Sequence, residues 1–119
     1  MSTLLEKISD LNDLILQGRA LEAFQKYYDE NVVIQENELP PTVGKPANLK
    51  RHKTFYSSIT EFRLAQPLKV TVGENISMVE WQFDYTHREW GERHYTQVAV
   101  QEWRNGQIIK EKFYYNIKS

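Results

Sequence analysis

The stretch VEWQFDY, residues 79–85, alternates strictly between apolar and polar side chains. Such a period of two places one set of side chains on each face of a β-strand. The same period returns on both sides of this stretch, over residues 68–72 and 94–103. The second half of the chain therefore predicts an antiparallel meander of strands, from Phe62 to Ile117.

The first half of the chain has a helical period instead. Thr3 and Glu6 form the signature of a capping box ahead of apolar residues spaced three and four apart, and Gly18 suits a left-handed helix stop. A second helix follows up to about Asn31, and Pro46 suits the first turn of a third. Three helices before a meander predict an α+β domain whose helices cover one face of a curved sheet.

The composition limits the class of protein. A length of 119 residues fits one domain over residues 1–119, and the absence of cysteine excludes disulfides and thiolate chemistry. The 15 Lys and Arg side chains nearly balance the 16 Asp and Glu side chains, which gives no field to attract nucleic acid. No apolar run has the length of a signal peptide or membrane span. We therefore expect a cytoplasmic protein without nucleic-acid or membrane partners.

The sequence contains no recognisable metal or cofactor motif. It has no His-x-x-x-His pair, no acidic cluster at ligand spacing, no glycine-rich phosphate loop and no Gly-x-Ser-x-Gly elbow. We expect no metal and no cofactor. Aromatic residues, however, make up 13% of the chain and lie mostly in its second half. This concentration indicates a broad sheet surface or a lined cavity.

Five stretches of the chain follow the pattern of a known fold. They are residues 23–28 (AFQKYY), residues 29–34 (DENVVI), Gly44 ahead of the third helix, residues 103–109 (WRNGQII) and residues 113–115 (FYY). Together they resemble the nuclear transport factor 2-like (NTF2-like) superfamily, which includes SnoaL-like polyketide cyclases and ketosteroid isomerases. The resemblance covers nearly the whole chain. It implies a cone-shaped fold in which a curved sheet wraps a long helix around an internal pocket.

The turn at Asn105-Gly106 decides which face of residues 94–103 lines that pocket. A two-residue turn pairs Arg104 with Gln107, whereas a three-residue loop with a bulge at Gly106 pairs Trp103 with Gln107. The two alternatives differ by a slip of one residue, which exchanges the faces of the strand. The first turns Val98 and Val100 inward, and the second turns Gln97, Ala99, Gln101 and Trp103 inward. Both place Glu111, Phe113 and Tyr115 on the inner face.

The second alternative has a consequence for assembly. It leaves four apolar residues together on the outer face of the sheet, and such a patch usually marks an interface. Since many members of the superfamily are dimers, we expect a homodimer through this face. The four residues are Val98, Val100, Ile108 and Tyr114.

Three polar residues are the candidates for catalysis. Glu36 falls where the resemblance places the proton-abstracting aspartate of ketosteroid isomerases, and an aromatic pocket would raise its pKa. Glu111 would be a second acid, and His52 on the third helix would carry a proton between them. The alternatives are a solvated Glu36, a Glu111 that is buried and hydrogen-bonded, and a His52 that belongs to the core. Steroid isomerase activity is not expected, because Ala99 stands where those enzymes need an acid.

The remaining predicted site residues would hold a ligand. Aromatic rings would supply the contact area for a flat apolar molecule, and a few amides would orient it. The sequence therefore favours a small-molecule pocket with cofactor-free acid–base chemistry. The alternative is a non-catalytic association module whose cavity is filled by its own side chains. The predicted ligand-binding residues are Trp81, Phe83, Tyr95, Gln97, Gln101, Trp103, Phe113 and Tyr115.

Overall fold

The computed structural model describes residues 3–116 and has the predicted α+β architecture. Its strands form one sheet in the order β2-β1-β6-β5-β4-β3. The predicted end of the last strand at Ile117 lies outside the described residues. Within those residues, no helix is both long and apolar enough to cross a membrane. The elements are α1 (Leu4–Leu16), α2 (Ala20–Tyr27), β1 (Tyr28–Glu36), β2 (Thr42–Val43), α3 (Lys45–Ser57), β3 (Ile59–Gly73), β4 (Ile76–His87), β5 (Gly91–Arg104) and β6 (Gln107–Tyr115).

The predicted antiparallel meander is present as β3 to β6, and the sheet as a whole is mixed. β1 runs parallel to β6, with Ile34 opposite Glu111, while the other neighbouring strands are antiparallel. Of this strand only residues 32–34 form an apolar run, because the preceding residues 29–31 are polar. The full β1 carries Tyr28 at one end and Glu36 at the other. Both residues therefore lie on the strand that neighbours β6.

The first helix begins and ends as the sequence predicts. The Thr3 hydroxyl accepts from the backbone N–H of Glu6 at 3.1 Å, and the Glu6 carboxylate accepts from the backbone N–H of Thr3 at 2.9 Å. Gly18 follows the helix with a φ of +75°, the left-handed conformation that glycine adopts without strain. Ile8 and Leu11 on its inner side are fully buried. The helix thus seals one end of the curved sheet.

The hairpin between β5 and β6 combines both predicted alternatives. Arg104 pairs with Gln107 across a two-residue turn, Asn105-Gly106, in which both φ angles are positive. One pair further along, after Trp103 and Ile108, a bulge at Ile109 shifts the register, so that Gln101 lies opposite Glu111. The turn is therefore that of the first alternative, whereas the inner face beyond it is that of the second.

The same bulge corrects the predicted outer patch. Ile108 lies opposite Trp103 and is completely buried in the core, so it does not belong to the outer face. Val98 and Val100 are half-buried on that face, and Tyr114 is 45% exposed. Three of the four predicted residues thus remain on the outside of the sheet.

The inner face of the sheet divides into a covered end and an open end. Helices α1 and α2 cover the end next to the β5–β6 turn, where Val79, Ala99 and Ile108 are buried in one apolar cluster. Toward the other end several inner-face side chains are only partly buried, although Tyr85 and His87 are buried where Phe55 of α3 packs on them. We call this open part the aromatic trough. It consists of Phe83, Tyr95, Gln97, Phe113 and Tyr115.

Candidate functional site

Glu111 on β6 is the centre of a buried hydrogen-bond network. Its residue surface is 2% exposed. The hydroxyl of Tyr28 donates to one carboxylate oxygen at 2.6 Å, and the side-chain amide of Gln101 donates to the other at 2.8 Å. Both oxygens therefore have a donor, which is the condition for burying a carboxylate. The structure places Glu111 inward as predicted, with Gln101 as one of its partners.

The network continues away from Glu111 through a chain of single hydrogen bonds. The indole N–H of Trp103 donates to the hydroxyl of Ser77 at 2.8 Å, and that hydroxyl donates to the carbonyl oxygen of the Gln101 amide at 2.7 Å. Every donor in the chain is oriented toward Glu111. Bonds aligned in this way polarise one another and favour negative charge at the accepting end. Trp103 thus belongs to the buried hydrogen-bond network and does not face the open part of the sheet.

The environment of Glu111 raises the pKa of its carboxyl group toward neutral pH. Burial raises the pKa of Glu111 to about 7, although the hydrogen bonds from Tyr28 and Gln101 act in the opposite direction. Burial and the adjacent Glu111 raise the pKa of the Tyr28 hydroxyl well above its ordinary value. Tyr56 is 36% exposed as a residue, yet desolvation of its hydroxyl raises its pKa to about 12. Glu111 therefore changes charge near neutral pH while both phenols keep their protons.

Glu36 lies at the end of β1, on the rim of the aromatic trough. Its side chain is 30% exposed and forms an ion pair with Arg51 of α3. The hydroxyl of Tyr115 donates to its second oxygen at 2.5 Å. Burial and the bond to Glu36 raise the pKa of Tyr115, so this phenol remains a donor. The carboxylate is thus held between a cation and a phenol where the trough opens.

His52 occupies a different environment from the two carboxylates. Its ring lies 4.7 Å from that of Phe24 and 6.2 Å from that of Tyr56, between α2 and α3. Its Nδ1 is 3.2 Å from the carbonyl oxygen of Asn48, which can only accept, so Nδ1 carries the proton. Burial lowers the pKa of His52 and favours the neutral ring. These contacts make it a packing residue of the helices.

The rings on the inner face form a continuous aromatic ladder. Trp81 stacks on Phe83 with centroids 5.5 Å apart, and Phe83 lies 5.8 Å from Tyr95. Tyr95 stacks in turn on Tyr115 at 5.2 Å, and its hydroxyl is 2.7 Å from that of Tyr85. The ladder crosses three strands, β4, β5 and β6. Three of its rings, Phe83, Tyr95 and Tyr115, are partly exposed.

The predicted ligand-binding residues separate into two groups by depth. All five residues of the aromatic trough were predicted, and they are partly exposed. The other three, Trp81, Gln101 and Trp103, are between 2% and 5% exposed and support the trough from within. Alternation along a strand identifies the face of a residue, but it does not identify the part of that face that a helix covers.

Sequence reasoning missed several residues of the site. His87 is 5% exposed and its ring stacks on Trp90 at 3.7 Å, whereas His94 is exposed. A signal for Arg93 was present, because it alternates in phase with Tyr95 on β5. The residues that contribute to the site without having been predicted are Tyr28, Arg51, Tyr56, Ser77, Tyr85 and Arg93.

Other parts of the described chain offer less for chemistry. A recess of about 190 Å³ lies at the covered end, where Lys7, Asn75 and Arg104 are among its lining residues. It is separated from the aromatic trough by the core under α1. Over residues 3–116, no group of three or more His, Asp or Glu side chains is positioned to hold a metal ion. The trough and the network behind it are therefore the candidate functional site.

Comparison with known proteins places this arrangement in a family. The family model described as the SnoaL-like domain matches residues 3–115. The chain belongs to the SnoaL-like domain family. Sequence comparison with curated proteins finds no match.

Solved structures share the SnoaL-like fold over nearly the whole chain. A protein from Mesorhizobium loti, provisionally named a SnoaL-like polyketide cyclase, superposes with a TM-score of 0.86 at 24% identity, covering 96% of this chain and 100% of that one. An NTF2-like protein of unknown function from Cytophaga hutchinsonii gives 0.73 at 12% identity, with 98% and 92% covered. An LEH-like epoxide hydrolase from M. tuberculosis gives 0.71 at 11% identity, with 89% and 76% covered. At these identities the likeness establishes the NTF2-like fold.

The raised pKa of Glu111 predicts a specific dependence of stability on pH. The folded value of about 7 exceeds the ordinary value of 4.5, so the folded SnoaL-like domain binds the extra proton between these limits. The contribution of Glu111 to stability is therefore fully present below pH 4.5 and is lost as the pH rises to 7. The loss amounts to about 3 kcal/mol.

Urea unfolding of the wild type and of Glu111→Gln between pH 4 and 8 checks this prediction. The difference between the two free energies of unfolding should change by about 3 kcal/mol across the window, in favour of the variant at high pH. The matched control is Glu38→Gln, because the Glu38 side chain is 86% exposed. Equal slopes for the wild type and Glu111→Gln would show that Glu111 titrates as an ordinary carboxyl group.

Proposed function

We propose that this SnoaL-like protein binds a small, flat aromatic molecule in the aromatic trough. The observation that carries the proposal is the ladder of rings, of which Phe83, Tyr95 and Tyr115 stay partly exposed on the inner face. Rings of this kind supply most of the contact area in small-molecule sites, and a few polar groups orient the ligand. Structural neighbours that are named as a polyketide cyclase and an epoxide hydrolase support a small-molecule role for the fold.

Acid–base chemistry in this proposal belongs to Glu36 and Tyr115. Both reach the trough, and their side chains are already hydrogen-bonded to each other. Arg51 fixes the position of the Glu36 carboxylate, which acts as the proton acceptor. Tyr115 acts as the hydrogen-bond donor to a developing negative charge. Glu111 is too deeply buried to touch the ligand, so it sets the electrostatic potential behind the ladder.

The binding proposal predicts a loss of affinity when the ladder is truncated. Tyr115→Ala removes the last ring, and we expect the dissociation constant of 2-naphthol to rise about tenfold, as measured by isothermal titration calorimetry. The matched control is Tyr114→Ala, which removes the same side chain from the opposite face of the same strand. A wild-type protein that does not bind 2-naphthol, or equal losses in both variants, would contradict the proposal.

The catalytic part predicts a base-dependent reaction with an activated aromatic probe. A base that removes the C3 proton of 5-nitrobenzisoxazole causes its N–O bond to break, and the oxygen keeps the bonding electrons as a phenolate. We expect the protein to accelerate this ring opening and Glu36→Gln to lower the rate at least about tenfold. The appearance of the coloured phenolate measures the rate. Glu38→Gln is the exposed control, and a Glu36→Gln rate equal to that of the wild type would contradict the assignment.

The outer face of the sheet supports self-association as a second role. Val98, Val100 and Tyr114 lie there beside Met78, which is 41% exposed. The same face carries acidic and basic side chains, including a Lys69–Glu80 pair at 3.9 Å. A surface with both signs of charge around an apolar centre is complementary to a second copy of itself, as a two-fold dimer requires. We propose a homodimer through this face.

Disruption of the apolar centre tests the dimer. Val100→Glu introduces a charge that would be buried in the interface, and it should shift the mass measured by sedimentation equilibrium from twice 14.1 kDa to 14.1 kDa. Leu16→Glu is the control, because Leu16 is 48% exposed on a helix at the opposite side of the sheet. A monomeric wild type would refute the proposal.

A further inference from the structure

Among the described residues, the side chain of Arg93 beside the trough has a nitrogen without a hydrogen-bond partner and a charge without a counter-ion. Arg93 on β5 is half-buried, and its Nε–H is fully buried without any hydrogen-bond acceptor. One of its terminal nitrogens donates to the backbone carbonyl of Glu92 at 3.1 Å. Within residues 3–116, no aspartate or glutamate forms an ion pair with it. A buried cationic donor without a partner is costly, and such groups in folded proteins normally have an explanation.

The position of Arg93 connects it to the ladder. It pairs with Tyr85 across β4 and β5, and it shares the inner face with Tyr95 two residues further along. The hydroxyls of those two tyrosines are hydrogen-bonded to each other. Burial raises the pKa of Tyr85, and the charge of Arg93 acts against that rise, which places the guanidinium within electrostatic reach of the hydroxyl. Arg93 therefore stands at the tyrosine end of the ring surface.

Two other basic groups near the trough offer no free positive charge. Arg51 is neutralised by Glu36, and His52 is neutral because burial lowers its pKa. Arg93 has no such partner. A ligand with one negative charge would form an ion pair with Arg93. A planar carboxylate suits a guanidinium because the two groups can form two parallel hydrogen bonds.

We infer that the ligand of the aromatic trough is an aromatic carboxylate, whose ring lies on the ladder and whose carboxylate is bound by Arg93. This inference rests on the proposed binding function and adds the class of ligand. A carboxylate fits better than a phosphate dianion, because Arg93 supplies one positive charge and Arg51 is already paired with Glu36. The carboxylate then gives Arg93 the counter-charge that it lacks, and the phenol of Tyr95 remains a neutral donor beside it.

The test compares two probes that differ only in charge. 2-Naphthoate and 2-naphthamide have the same ring and nearly the same shape, but only the first is ionised at pH 7. We expect calorimetric titration to give a dissociation constant at least about tenfold lower for 2-naphthoate. This advantage should diminish when the salt concentration is raised from 0.05 to 0.5 M.

Substitution of Arg93 tests whether this residue causes the preference for 2-naphthoate over 2-naphthamide. In Arg93→Gln the two probes should bind equally, with the affinity for 2-naphthamide unchanged. Arg104→Gln is the matched control, because Arg104 is exposed at the far end of the same strand, and it should keep the wild-type preference. If Arg93 served only the fold, Arg93→Gln would lower the melting temperature and weaken both probes alike. We expect the melting temperature of the ligand-free protein to stay the same or rise.

The possible outcomes separate this inference from the proposed function. If neither probe nor 2-naphthol binds to the wild type, the trough is not a ligand site and both ideas fail. If the wild type binds both probes equally, the binding function stands and the carboxylate inference is overturned. The inference is also overturned if Arg93→Gln keeps the preference for 2-naphthoate.

Discussion

The burial of the Glu111 carboxylate is the constraint on which the rest of the structure depends. A buried carboxylate must be satisfied at both oxygens, and its donors here come from strands on either side. Tyr28 on β1, Glu111 on β6, Gln101 on β5 and Ser77 on β4 form one row across four adjacent strands. The row joins the parallel β1–β6 pair to the meander. A slip of β1 or β5 would break a bond to the buried carboxylate, and a slip of β4 would break the bond from Ser77 to Gln101, so the network favours this register of the sheet.

The trough arises from a mismatch between the lengths of helices and strands. Helix α1 has 13 residues and extends about 20 Å, whereas β5 has 14 residues and extends about 45 Å. A helix of this length cannot cover the whole inner face. The uncovered part would normally be polar, but this sheet continues its aromatic alternation there. The partly exposed rings of Tyr95 and Tyr115 are therefore a feature that the packing of α1 does not explain, and this is the physical reason to assign them to a ligand.

The sequence predicted the faces of the strands more reliably than the depth of individual side chains. The alternation in residues 79–85 and the capping box at Thr3 each depend on neighbouring residues alone, and both appear in the structure. The parallel strand β1 was largely hidden because its partner lies some eighty residues further along the chain. The ion pair between Arg51 and Glu36 was hidden for the same reason, since no local pattern joins α3 to the end of β1. The donor from Tyr28 to Glu111 likewise depends on tertiary contact.

The bulge after the Asn105-Gly106 turn also determines how this hairpin can change in evolution. Point substitutions in β6 alter one side chain at a time and leave its neighbours in place. Deletion of a single residue at the bulge would instead move every following residue to the opposite face, so that Lys112 would enter the core and Glu111 would face solvent. Relatives of this chain should therefore vary in the outward-facing side chains along the hairpin while conserving its length.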